Sequence, residues 1–237
     1  MADFDLELSI EAIDAIVNFA GYGSQSAPVW FIGFEEGLGK MDSEDSAKSL
    51  KARGAFENTM DLYNAHLRLW EGGKLIDIER RTKFTPVWVW MAKIMLARNG
   101  HSSWRNTECA KEYIRSQLGR SMGETFLTEL SPIPSRSAKD QNWMKWFRAR
   151  DAQLDTKIKQ RLEALKRVLK EKSPPLIICY GSKRTKDFAE LLGTEWLPAC
   201  HKAYKSSDSR CLLLPFFGNG QMSHSVIEGL LEDDLLR

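Results

Sequence analysis

The stretch from Pro28 to Gly39, Pro-Val-Trp-Phe-Ile-Gly-Phe-Glu-Glu-Gly-Leu-Gly, constrains the fold more than any other part of the chain. Val29 to Ile32 form an unbroken apolar run, which predicts a strand buried on both faces. Gly33, Gly37 and Gly39 then surround Glu35 and Glu36, so the strand empties into a loop whose backbone can turn sharply. Ligands of open α/β sheets bind outside the carboxyl ends of strands. Two carboxyl groups in such a loop are either solvated or used, and partners from other strand ends would decide between the two.

Other strands end in similar loops. Residues 125–130 read as a short second strand with Glu129 at its end, stopped by Ser131-Pro-Ile-Pro-Ser-Arg-Ser137. Leu176 to Tyr180 is a third strand, followed by Gly181, Ser182, Lys183 and Arg184 at the start of a helix, a fair phosphate-binding arrangement. It lacks the spacing of a nucleoside-triphosphate loop. The last strand, from Cys211 to Phe216, leads through a glycine-rich loop to Ser223-His224-Ser225 at another helix start. Serine hydroxyls and free backbone N–H groups there can grip a phosphate.

Between these strands the 3.6-residue periodicity predicts helices over 9–19, 56–70, 85–97, 108–118, 155–172 and 226–236. Helices alternating with strands imply a three-layer α/β/α fold around a central, mainly parallel four-stranded sheet. The chain of 237 residues has no Gly/Ser/Pro-rich linker, so one domain is expected, with 40–83 as an insertion forming a pocket wall or lid.

Charge is unevenly spread although the net value is only +2. Residues 1–60 carry four basic and eleven acidic side chains, and residues 133–172 carry twelve basic and five acidic. Trp143 and Trp146 interleave with Lys145, Arg148 and Arg150, a pattern that holds a nucleic-acid strand or else packs the tryptophans into a helix face. The four cysteines form no CxxC pair, so zinc and iron–sulfur spacings are absent and neither metal nor cofactor is expected. No signal-peptide pattern or membrane-length apolar run is found, which predicts a cytoplasmic protein without a membrane partner.

The ordered set of motifs over roughly residues 28 to 232 resembles the uracil-DNA glycosylase superfamily. The carriers are Gly33-Phe-Glu35-Glu36-Gly37, Thr128-Glu129-Leu-Ser-Pro132, Pro174-Pro-Leu-Ile-Ile-Cys-Tyr-Gly181-Ser182 and Ser223-His224-Ser225. Glu36 stands where that family has a proline, and the family's His-Pro-Ser order is missing. The resemblance implies a monomeric DNA N-glycosylase with that family's fold. Glu35 then takes the water-positioning role, with Glu36 beside it, and His224 contacts the leaving base. Glu129 reads the base, and Phe34, Phe56 or Phe84 stacks on it. Ser182, Lys183, Ser223, Ser225 and Arg136 hold DNA phosphates.

This assignment is chemically coherent. Breaking an N-glycosidic bond builds positive charge on the sugar and negative charge on the departing base. A carboxylate and a donor, respectively, stabilise these charges. The target nucleotide must be flipped out of the stack. An ionised Glu129 only accepts hydrogen bonds, which suits the exocyclic amine of a cytosine. The expected substrate is therefore a modified cytosine, such as glucosylated hydroxymethylcytosine supplied by a DNA-modifying virus. This makes antiviral defence the expected setting. The alternatives are a uracil-excising repair enzyme and a non-catalytic nucleic-acid-binding module of the same fold.

Overall fold

A computed structural model describes residues 7–37, 43–71, 78, 81–135 and 142–236. Its centre is the strand read from the apolar run, β2 (Val29–Gly37), whose Val29 to Ile32 are completely buried. β2 is flanked by β4 (Thr125–Ser135) on one side and β5 (Leu176–Tyr180) on the other, and β8 (Cys211–Leu214) lies beyond β5. All three pairings are parallel, so four carboxyl ends share one edge.

The sheet is wider and more mixed than the four-stranded one expected. Eight strands are found among the described residues, in the order β3-β1-β4-β2-β5-β8-β7-β6. β1 (Gly21–Gly23) runs antiparallel to β4 and parallel to β3 (Thr59–Met60). β6 (Leu197–Pro198) and β7 (Tyr204–Lys205) form an antiparallel ribbon that pairs with β8. Gly21-Tyr-Gly carries no strand periodicity. In the fold the glycines allow close approach: a Cβ on Gly21 would stand 2.2 Å from the Leu127 carbonyl oxygen.

β4 also runs past Leu130 through the Ser131-Pro-Ile-Pro-Ser135 segment that was expected to stop it. β1 pairs only with Phe126 and Leu127, so the far side of β4 beyond them has no partner strand among the described residues. Both prolines fall at the end of the β2–β4 ladder, where the register shifts between Glu35 and Gly37, the kind of irregular position at which strands tolerate proline.

Helices cover both faces. On one face α3 (Leu62–Glu71), α4 (Pro86–Arg98), α5 (Thr107–Ser116) and α9 (His224–Glu232) enclose a core of Phe31, Ile178, Met91, Ile94 and Leu230. On the other, α7 (Leu154–Lys172) and α8 (Thr185–Leu192) pack on Trp30, Ile32 and Leu213. A third cluster joins α1 (Ile10–Asn18), α2 (Ser43–Arg53) and α6 (Asn142–Arg150) through Ile13, Leu50, Trp143 and Phe147. Segment 40–83 is thus woven into the fold where it is described. Leu50, Leu62 and Ala65 are completely buried and Met60 sits in a sheet strand, whereas residues 40–42, 72–77 and 79–80 lie outside the described ones.

Candidate functional site

Residues from several carboxyl ends meet along the shared edge. In the β2–β4 register Gly33 stands opposite Glu129 and Glu35 opposite Ser131, after which the register shifts before Gly37. Glu35 is half-buried and lines a cleft of about 240 Å³ with Phe34, Ser131, Ser135, Trp143 and Arg184. Among the described residues it has no hydrogen-bond or ion-pair partner. The Arg184 guanidinium lies 3.6 Å from the centre of the Phe34 ring, tying the β2 end to the turn after β5.

Glu36 lies in a different environment. Its carboxylate receives two 2.8 Å hydrogen bonds from Arg53 and one of 3.0 Å from the Tyr22 hydroxyl. Burial pushes this carboxyl up, but the charge and hydrogen bonds of Arg53 outweigh it and hold the group below its ordinary value. Glu36 is therefore committed to anchoring α2 to the sheet, and the structure separates it from the free Glu35. His66 completes this buried group. Its Nδ1 lies 2.9 Å from the Leu62 carbonyl, and burial pushes its pKa down to about 4, so it stays neutral.

Glu129 is the most perturbed carboxyl of the edge. Its side chain lies over Gly33, where a Cβ would stand 2.0 Å from Oε2. The Tyr180 hydroxyl donates to Oε1 at 2.7 Å. Tyr180 itself stacks on Phe217 with ring centres 4.7 Å apart. Below, Arg161 donates to the backbone carbonyls of Phe19, Glu129 and Leu130 and leaves the carboxyl alone. Burial is the main reason that the Glu129 pKa rises to about 8, with the charges of Glu36 and Glu35 adding to it. At neutral pH Glu129 is a carboxylic acid. This corrects the expectation of an ionised, acceptor-only side chain. Its Oε2 is buried without a hydrogen-bond partner, an arrangement that calls for a ligand or a strain account.

His224 lies at the first position of α9, after Ser223. Its Nε2 is 3.0 Å from the Lys93 amine, and the rings of Trp90 and Trp104 stand edge-on to it at 5.2 and 5.5 Å. Burial and the charges of Lys93 and Arg105 push its pKa down. Ser223 makes no capping bond to the helix; its hydroxyl instead meets that of Ser225 at 2.7 Å. Ser182 and the exposed Lys183 occupy a single 3-10 turn after β5, entered through Gly181 with φ of 110°.

The expected residues are thus only partly united. Phe34 and Glu35 line the cleft. Glu129 connects to the β8–α9 loop through Tyr180 and Phe217. Neither Glu129 nor His224 is among the cleft's lining residues. Phe56 is buried against Phe19 and Arg53, while Phe84 is half-buried between Trp88 and Arg115. Arg136 lies outside the described residues. Trp143 and Trp146 bury their rings, as the packing alternative had it, while Arg150 stacks on Trp146 at 3.7 Å.

Nothing in the sequence marks Tyr180, Phe217, Arg161 or Lys93 as site residues, whereas Arg184 stands in the basic turn after Gly181. No group of three His, Cys, Asp or Glu residues able to hold a metal is found among the described residues, nor is a helix long and apolar enough to cross a membrane. No protein-family model, curated protein or solved structure matches the chain.

Proposed function

We propose that this chain is a DNA N-glycosylase that flips out a modified pyrimidine and hydrolyses its glycosidic bond, leaving an abasic site. The reading keeps the resemblance to the uracil-DNA glycosylase superfamily and its three-layer α/β/α arrangement. The observation that carries it is the pair of carboxyls on adjacent parallel strands. Glu35 is free at the cleft, and Glu129 is a neutral acid pinned by Tyr180. Two carboxyls set apart by their environments divide the labour of acid–base chemistry. Glu35 orients water and stabilises the sugar cation. His224, a neutral imidazole, contacts the departing base. Ser182, Lys183, Ser223 and Ser225 take the flanking phosphates, and DNA is the partner.

The proton on Glu129 refines the substrate argument. With Tyr180 donating to Oε1, the proton resides on Oε2, and the acid offers one donor and one acceptor. That pair matches N3 and the N4 amine of a cytosine, so a modified cytosine such as glucosylated hydroxymethylcytosine remains the favoured substrate. The same pair, turned over, matches O4 and N3–H of uracil, and this favours uracil as the second reading.

The test is release of base, without added metal, from oligonucleotides carrying uracil, cytosine, hydroxymethylcytosine or its glucosylated form. Release of a modified cytosine, abolished in Glu35→Gln, is expected. Release of uracil alone would keep the reaction and discard the cytosine assignment. Binding to DNA without release from any substrate would replace the enzyme by a binding module.

A further inference from the structure

Lys93 lies on α4 and is only 5% exposed. A buried ammonium is normally held by a carboxylate, yet among the described residues Lys93 has none. Its Nζ lies 3.0 Å from His224 Nε2 and 5.1 Å from the centre of the Trp90 ring. Close by, Arg105 stacks on Trp104 at 4.3 Å and is neutralised by Glu228 at 2.6 Å. An aromatic wall and an imidazole therefore surround an amine with no counter-charge. Burial accordingly pushes the Lys93 pKa down. Desolvation beside a second nitrogen base is the setting in which lysines become nucleophiles toward carbonyl groups.

We infer that Lys93 is an amine nucleophile that forms an imine with the aldehyde of an abasic deoxyribose and so begins a strand-cleaving elimination. The inference relies on the proposed excision only for the origin of the aldehyde. The Nζ lone pair adds to C1′ of the ring-opened sugar, and loss of one water gives the iminium ion. His224, whose ring is neutral at pH 7 and sits beside the amine, removes a proton from C2′. The C3′–O bond then breaks, and the 3′-phosphate leaves with the bonding electrons. One water hydrolyses the unsaturated imine, releasing the sugar aldehyde and returning Lys93 to its amine. No oxidant, reductant or metal takes part. Lys93 is buried and His224 half-buried at the start of α9, so the proposed approach of the sugar is from the His224 side.

The experiment supplies the aldehyde directly. The full chain is incubated with an oligonucleotide already carrying an aldehydic abasic site, in the presence of sodium cyanoborohydride, which reduces an iminium ion to a stable amine. A covalent protein–DNA adduct is expected, mapped by peptide mass spectrometry to Lys93 and lost to background in Lys93→Arg, which keeps the charge but forms no imine. A tetrahydrofuran abasic analogue, which has no aldehyde, should give no adduct. Absence of adduct from the wild-type chain, or an adduct mapped only to another amine, would overturn the inference. Should Lys93→Arg fail to fold, the mapped wild-type adduct decides alone. Trapping does not require base release. Trapping at Lys93 without excision would fault only the proposed substrate reaction, and excision without trapping would fault only the lyase.

Discussion

Replacing Glu129 by Gln tests the proton that the site is built around. In the unfolded chain a glutamate titrates near 4.5, and in the fold Glu129 titrates near 8. Between these values the native state holds a proton that the unfolded chain has released. Its contribution to stability is therefore complete below about pH 4.5 and is lost as pH rises toward 8, the reverse of an ion-paired carboxylate. The slope is about 1.4 kcal/mol per pH unit, and the loss across the window is on the order of 4 kcal/mol. Gln keeps the shape and still accepts from Tyr180, but it does not titrate. Urea unfolding followed by tryptophan fluorescence, from pH 5 to 9, gives the difference between wild type and Glu129→Gln. Groups common to both chains largely cancel. The variant should gain on wild type by about 3 kcal/mol from pH 5.5 to 8, and the gain should level off above that. A difference that stays flat would mean that Glu129 carries no extra proton, and the donor–acceptor reading of the base would fall with it.

Four further outcomes follow from the same geometry. Glu36→Gln leaves the Arg53 guanidinium, whose side chain is 9% exposed, without its charge partner; unfolding should show a loss of about 3–5 kcal/mol. Gly33→Ala places a Cβ 2.0 Å from Glu129 Oε2 and 2.3 Å from the Tyr180 hydroxyl. Overpacking of this kind costs about 1–3 kcal/mol, and a double-mutant cycle with Glu129→Ala should recover part of it. Arg161→Met removes the donors to the Phe19, Glu129 and Leu130 carbonyls; a loss of about 2–4 kcal/mol in urea unfolding is expected. Glu35→Gln should leave the melting temperature near that of wild type while lowering base release by about 100-fold or more in single-turnover assays.

Much of the skeleton was readable because its causes are local. The run Val29 to Ile32 is apolar at every position, as a strand buried on both faces must be, and it became the middle of the sheet. The stripe along 155–172 became α7 almost to the residue. Ser9, at the start of the helix predicted over 9–19, accepts from the Ala12 N–H and caps α1. The short strands were not readable. Gly21-Tyr-Gly and Leu197-Pro carry no periodicity, and they become strands only because a neighbour offers hydrogen bonds. The prolines of β4 are tolerated at the end of its ladder with β2, where the register shifts between Glu35 and Gly37.

The site divides along the same line. The sequence by itself determined which residue types arrive at the strand ends: Glu35, Glu129, Ser182 and His224 are there because each ends an apolar run or opens the helix that follows one. The tertiary structure alone decided what those groups are. Glu35 and Glu36 are neighbours with the same side chain, yet Arg53, seventeen residues further on, takes one and leaves the other free. Glu129 is an acid rather than a carboxylate because burial outweighs the hydrogen bond donated by Tyr180, 51 residues away, which by itself favours the charged form. His224 meets Lys93 across 131 residues. Charge and protonation depend on desolvation and on nearby charges within a few ångströms, and those neighbours exist only once the chain has folded.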